Sequence, residues 1–146
     1  MREIKFRAWD KKIKKMIDNA NVRRIPLGYL EDETCIGGAY ADEVYEFMQY
    51  TGLKDKNGKE IYEGDVVKKV DTNGLGWHRE RNCKVSFDKE GYWLLSTEYG
   101  DGYWIGEVEI EQLEVIGNIF DNPELLNNTD KRAGEYADNE VLKSAT

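Results

Sequence analysis

QYTGLKDKNGKEIYEGDVV, residues 49 to 67, packs two turns and two strand beginnings into one segment. Asp55-Lys56-Asn57-Gly58 reads as a turn, because Asn and Gly both tolerate positive φ. Glu60-Ile61-Tyr62 is a brief extended piece, and Glu63-Gly64-Asp65 turns the chain again. Val66 and Val67 then open a strand, since β-branched side chains fit a pleated surface. Gly52, Asp55, Asn57, Gly58, Gly64 and Asp65 are accordingly assigned a structural role, steering the main chain through a junction between two β regions. Asp and Asn do this by accepting hydrogen bonds from nearby backbone N–H groups. A Gly-Asp turn feeding a strand of valines also begins many SH3-like small barrels, an analogy of fold.

Upstream of the junction, Ile4, Phe6 and Ala8 alternate with Lys5, Arg7 and Trp9, the period of a one-sided strand. Asp10-Lys11-Lys12 suits a turn, and Ile13, Met16 and Ile17 supply the returning strand of a hairpin. Trp9 falls on the charged face, so it must bend inward or pack under a loop. Residues 18–43 are irregular, punctuated by Pro26, Gly28, Gly37 and Gly38, with Glu31-Asp32-Glu33 as loop and Val22–Pro26 as a short strand. Val44–Tyr50 carries bulk on both sides, which predicts a strand covered on both faces.

Downstream, Asp71–Arg81 (DTNGLGWHRER) reads as a polar loop carrying Trp77 and His78. Cys83, Val85 and Phe87 alternate with Lys84 and Ser86. Asp88–Gly91 turns, Tyr92–Thr97 returns, Tyr99–Gly102 turns again, and Tyr103–Ile110 goes back out with a break at Gly106. Short strands at this spacing argue for a sandwich or barrel. Leu113–Phe120 is the last strand, with a bulge at Gly117-Asn118. Asp121 with Glu124 as a capping box, or Asn122 before Pro123, starts one helical turn through Leu125 and Leu126. The tail is polar and weakly helical from Lys131 to Lys143. The fold class is therefore mainly β with minor α: an N-terminal β hairpin and irregular region over 1–60, packed on an SH3-like β-barrel over 61–120. A short helix and polar tail follow over 121–146.

Composition bounds the function. Of 146 residues, 12% are aromatic, too many for a disordered chain, while 34% are charged, which demands a polar surface. The net charge of -8 repels nucleic acid unless positive charge is segregated. It is partly segregated: residues 1–15 hold seven basic side chains against Glu3 and Asp10, a local +5, which leaves -13 for the remainder. Cys35 and Cys83 are far apart and form no CxxC, so both are expected as thiols in a reducing cytoplasm. The apolar runs fall far short of the roughly 20 residues that a bilayer span needs, so no membrane role is expected.

No chemistry-bearing constellation emerges. His78 is the single histidine, and neither cysteine lies near it, whereas a zinc site draws on several Cys and His at short spacing. Nucleophilic catalysis needs a nucleophile beside a base, and no such pair is spaced for it. Asp55, Glu63 and Asp65 could converge on a hard cation, but turn capping is the simpler role. No catalytic residue, metal or cofactor is expected. Trp77, His78, Arg79 and Arg81 sit together in sequence as an aromatic beside basic residues, the pattern on which a single strand of nucleic acid stacks. Trp77 equally suits a residue that closes the barrel or meets a partner chain. Trp93, Tyr99, Tyr103 and Trp104 exceed what one small barrel buries, and aromatics concentrate in interface cores.

Three blocks carry a resemblance: FRAWD at Phe6–Asp10, QYTGLKDKNGKEIYEGDVV at Gln49–Val67, and EVIGNIFDNPELL at Glu114–Leu126. In their order and over residues 6–126 the chain resembles the YopX family, small proteins encoded mostly by bacteriophages and prophages. The tail after Leu126 lies outside the resemblance. The resemblance implies a mainly β protein in a phage accessory context, and it supplies no catalytic residues to carry over. The expectation is thus a non-enzymatic accessory protein in the cytoplasm of a bacterial host. It acts through protein contacts, as a homo-oligomer or on a phage or host protein, with Trp77, His78, Arg79, Arg81 and Trp104 as candidate contacts. The alternative is a nucleic-acid-binding small β-barrel, disfavoured by net charge.

Overall fold

The computed structural model describes residues 3–22, 44–98, 100, 102–127 and 130–133. Most of the irregular N-terminal segment, with Cys35, lies outside these residues, as do Tyr99, Asp101 and the tail beyond Ala133. The chain is mainly β, as its alternation predicts, and forms two compact units.

The first unit comprises Met1–Leu53 with Glu60–Glu63. Its sheet holds β1 (Phe6–Asp10), β2 (Lys15–Ile17), β3 (Tyr45–Lys54) and β4 (Glu60–Tyr62), in the order β2-β1-β3-β4. The expected hairpin is present: Ala8 pairs with Ile17 and Trp9 with Met16. Its tip is rigid, because Asp10 Oδ1 accepts the N–H groups of Lys12 and Ile13 at 2.9 and 3.1 Å. Lys14 closes the turn at φ 54, the left-handed region. A single helical turn, α1 (Asn19–Val22), follows.

The face assignments differ from the sequence reading. Ile4 and Phe6 are 64% and 41% exposed, whereas Trp9 is buried. The supposedly outward cations turn onto rings: Lys5 Nζ lies 5.5 Å from the Tyr50 centroid, and Arg7 Cζ 4.7 Å from that of Tyr62. Glu60, with Glu3 beside it, also holds the Lys5 ammonium above its ordinary pKa through hydrogen bonds. β3 is not covered on both faces. Met48 and Tyr50 are buried, but Phe47 remains 37% exposed. The strand also runs on through Gly52 to Lys54.

The second unit comprises Lys54–Lys59 with Gly64–Thr146. It is built on β5 (Asp65–Thr72), β6 (His78–Phe87), β7 (Trp93–Ser96), β8 (Gly102–Trp104) and β9 (Leu113–Asn118), in the order β8-β7-β6-β5-β9. This sheet is a curled half-barrel, whose strand path runs from β8 at one edge to β9 at the other. Period two places Val67, Cys83, Val85, Leu95 and Leu113 on one face, each at most 1% exposed. At about 1.5–3 kcal/mol per fully buried aliphatic side chain, this inner face is the core of the unit.

Several elements are shorter or longer than sequence pattern suggests. Residues 71–81 are not one loop: β5 continues to Thr72 and β6 begins at His78, leaving only Asn73–Trp77 as the connection. β8 stops at Trp104, and a 3₁₀ turn at Ile105–Glu107 takes over where Gly106 was expected to break the strand. Ile119 and Phe120 form a turn instead of extending β9. A bulge is present, one residue before the expected Gly117-Asn118: Val66 opposes Gly117 while Val67 opposes Val115, so Ile116 is the extra residue. The short helix is a 3₁₀ turn at Pro123–Leu126. Asn122 precedes Pro123 there, and no side chain caps the turn. Lys131–Ala133 is not helical but forms β10, paired with β6 at Glu80 to His78. The helical reading of the residues beyond falls outside the described chain.

Gly117 fits against that 3₁₀ turn with no space for a side chain. A Cβ there would come within 2.5 Å of Asn122 Oδ1 and 2.8 Å of Leu125 Cδ1. Gly117→Ala is expected to cost about 1 kcal/mol, the low end for overpacking, because the atoms in the way are the ends of the Asn122 and Leu125 side chains, which can rotate aside; it is read as a lower urea midpoint at unchanged slope.

Candidate interaction surface

The junction residues act as backbone anchors. Asp55 is buried, and its Oδ1 accepts the N–H groups of Asn57 and Lys59 at 2.8 and 2.9 Å. Its Oδ2 accepts Val115 N–H at 2.8 Å, while Lys56 N–H donates to Leu113 O at 3.1 Å. The turn therefore caps the outer rim of β9, an edge strand whose backbone groups would otherwise be open. Burial pulls the Asp55 carboxyl up, but the bonds from Val115, Lys59 and Asn57 outweigh it and hold it below the ordinary carboxylate value. Gly58 and Gly64 take φ 81 and 83, conformations that a side chain would strain. Gly64 also links two strands, donating to Val85 O and accepting from Ile119 N–H. Gly52 sits within β3, Asn57 at the turn and Asp65, fully buried, at the start of β5.

The basic residues once grouped as a loop fall on a strand and are separated by its pleat. Arg79 and Arg81 share the inner face of β6, while His78 and Glu80 face the other way. Trp77 ends the connecting loop, half-buried. Arg79 is held bidentate by Asp130, with Nε and Nη2 at 2.8 and 2.7 Å from its two oxygens. The pair secures β10 beside β6. Hydrogen bonds from Arg79, against a smaller opposing effect of burial, lower the Asp130 carboxyl to about 2. Because this folded value lies below the unfolded one, the stabilisation is present above about pH 4 and is lost as pH falls towards 2. Asp130→Ala is expected to cost about 1 kcal/mol, since both partners are partly solvated. Amide exchange at Lys131–Ala133 should accelerate selectively.

Arg81 belongs to a buried charge cluster. Period two puts Lys69 and Asp71 on the inner face beyond Val67, and Arg81 beyond Cys83. Lys69 Nζ and Arg81 Nη2 bind the two Asp71 oxygens at 2.5 and 2.9 Å. Arg81 also donates to the Tyr103 hydroxyl. Lys69 Nζ and Arg81 Cζ each lie 4.8 Å from the Tyr103 ring centroid. Two cations thus share one carboxylate and one ring. Burial pulls the Arg81 guanidinium down, yet its bonds to Tyr103 and Asp71 outweigh this and raise it. Pattern alone leaves this cluster unmarked, although the shared parity of positions 67, 69 and 71 carries the signal.

What remains outward is aromatic. Trp104 pairs across the ladder with Leu94, on the face opposite Val85 and Leu95. Tyr92 stacks on Trp104, with centroids 4.9 Å apart and planes 15° from parallel. Each ring is 48% exposed. Phe87, 50% exposed, meets Trp93 edge-on at 4.7 Å around the end of the β6–β7 hairpin. Stacked rings gain about 0.5–1.5 kcal/mol beyond burial, which holds the platform in one geometry. Trp104 is separated by the sheet from Arg81 and Tyr103, so the candidate contacts do not form one site.

Among the described residues no group of three or more His, Cys, Asp or Glu is placed to hold a metal ion. Cys83 is fully buried. No described helix is long and apolar enough to cross a membrane.

The family model of the YopX protein matches residues 5–127. Protein EF1440 from Enterococcus faecalis, a crystal structure, is similar at 25% identity with a TM-score of 0.50, over 87% of this chain and 100% of that one. The crystal structure of protein yopX from Bacillus subtilis is similar at 22% identity with a TM-score of 0.52, again over 87% and 100%. A search of the curated proteins found no match. The family model spans all three blocks and most of the chain, and on that ground this protein belongs to the YopX family.

Proposed function

We propose that this chain is a non-enzymatic phage or prophage accessory protein of the host cytoplasm, acting through protein contacts made by the Tyr92–Trp104 surface. One observation carries the reading: two large rings, each 48% exposed, are stacked together, Trp104 from the edge strand β8 and Tyr92 from the residue before β7. Exposed aromatic anchors are the side chains that dominate protein interfaces. A nucleic-acid role draws less support, because Arg79 and Arg81 already bind carboxylates and the net charge is -8.

The test is capture of proteins from phage-infected cells and sedimentation of the purified chain, each with wild type and Trp104→Ala. Loss of a partner or of self-association in the variant supports the reading. Equal behaviour of the two proteins in both measurements overturns it. A labelled single strand of DNA that is shifted by wild type and released by salt would favour the nucleic-acid alternative.

A further inference from the structure

The aromatic platform lies in the acidic part of a chain whose charges are sharply sorted. Residues 88–109 carry six carboxylates against Lys89 alone, a local -5. Glu90, Glu98, Glu107 and Glu109 of this stretch are exposed. Residues 1–15 carry +5. Their hairpin tip presents Lys11, Lys12, Lys14 and Lys15 to solvent around Ile13, itself 61% exposed. The tip is prepaid in entropy, because Asp10 already fixes its backbone and Lys14 already sits at φ 54. This chain seats cations on rings repeatedly: Lys5 on Tyr50, Arg7 on Tyr62, and both Lys69 and Arg81 on Tyr103. Tyr92 and Trp104 are rings of the same kind, left exposed and without a described cation on them.

Resting on the protein-contact reading, we infer that a second copy of this chain docks on the Tyr92–Trp104 surface through its N-terminal hairpin tip, Lys11–Lys15. Lysines stack on the indole and phenol faces, Ile13 covers the ring edges, and the exposed glutamates neutralise the remaining ammonium groups. The contact joins two different surfaces, the patch of one copy and the hairpin of the next.

That asymmetry gives the test. Two variants are made, Trp104→Ala and Lys12→Glu/Lys14→Glu, and circular dichroism confirms that each folds. In sedimentation velocity the wild type is expected to associate at low salt and to fall to monomer near 1 M salt, where the screening length is about 3 Å. Each variant alone should associate at least about 10-fold more weakly, in line with a desolvated cation–π contact. An equimolar mixture should form a one-to-one dimer, since the first variant keeps its hairpin and the second its patch. A wild type that stays monomeric, or a mixture in which no dimer forms, overturns the inference. Association abolished by Trp104→Ala but indifferent to salt and to the lysine reversals also overturns it, while leaving the protein-contact reading standing. Should neither association nor protein capture depend on Trp104, both fall together.

Discussion

Asp71→Asn is expected to destabilise the protein by about 3–5 kcal/mol, the cost of leaving a buried charge without its partner. Lys69 and Arg81 are 5% and 6% exposed, and both bind the Asp71 carboxylate. The amide preserves shape and can still accept a hydrogen bond, but it removes the negative charge from between two cations. Midpoint temperature should fall by about 10 °C, at roughly 2–4 °C per kcal/mol for a chain of this size. Lys69→Met in the same background should recover part of the loss, because one of the two cations then goes too. Full stability in Asp71→Asn, or no recovery in the double variant, would show the charges to be more solvated than the geometry indicates. The pH dependence has a definite sign. Burial raises the Asp71 carboxyl, but hydrogen bonds from Lys69 and Arg81 outweigh it and lower it overall. The cluster's contribution is therefore complete above the unfolded carboxylate value near 4 and fades as pH falls through the lower folded value.

Asp55→Ala is the second large expected effect, at about 3 kcal/mol. It strips acceptors from three backbone N–H groups, and an abandoned buried donor costs about 1–3 kcal/mol. Lys59 and Asn57 lie in an exposed turn, where water replaces part of what is lost. Val115, half-buried on the edge strand β9, loses its side-chain acceptor as well, which loosens the rim of the sheet. Asp55→Asn should cost less, about 1–2 kcal/mol, because one amide oxygen still serves the turn while the amide nitrogen opposes Val115 N–H. Urea denaturation ranks the three proteins. Light scattering at high salt adds a second readout: with its cap gone, β9 offers open backbone groups, and Asp55→Ala should aggregate where the wild type stays monomeric. Equal stability of all three would show that the turn holds without its carboxylate.

The residues that were legible in advance are those whose signal is local. Asn57-Gly58 marks its turn because of what its two residues tolerate, whatever surrounds them. The hairpin at Asp10, the alternation of Cys83 and Val85, and Pro123 at the head of a helical turn are of the same kind. What escaped is non-local. Arg79 and Arg81 look like loop residues because two arginines beside Glu80 are polar, and only distant partners show otherwise: Asp71 on the neighbouring strand binds Arg81, and Asp130 binds Arg79. Lys5 and Arg7 look solvated because Tyr50 and Tyr62, the rings that receive them, are distant in sequence. The excess of aromatics could be counted, but which rings stay outside, Tyr92, Trp104 and Phe87 among them, depends on how the strands around them pleat and pair.

The notch at Gly117 ties the fortunes of neighbouring positions together. Its missing side chain is the space that the ends of Leu125 and Asn122 occupy, so a side chain gained at position 117 must first push those two ends into other rotamers. Drift at these sites is therefore linked: in a descendant chain, a methyl group gained at 117 is accommodated most easily beside a smaller residue at 122 or 125.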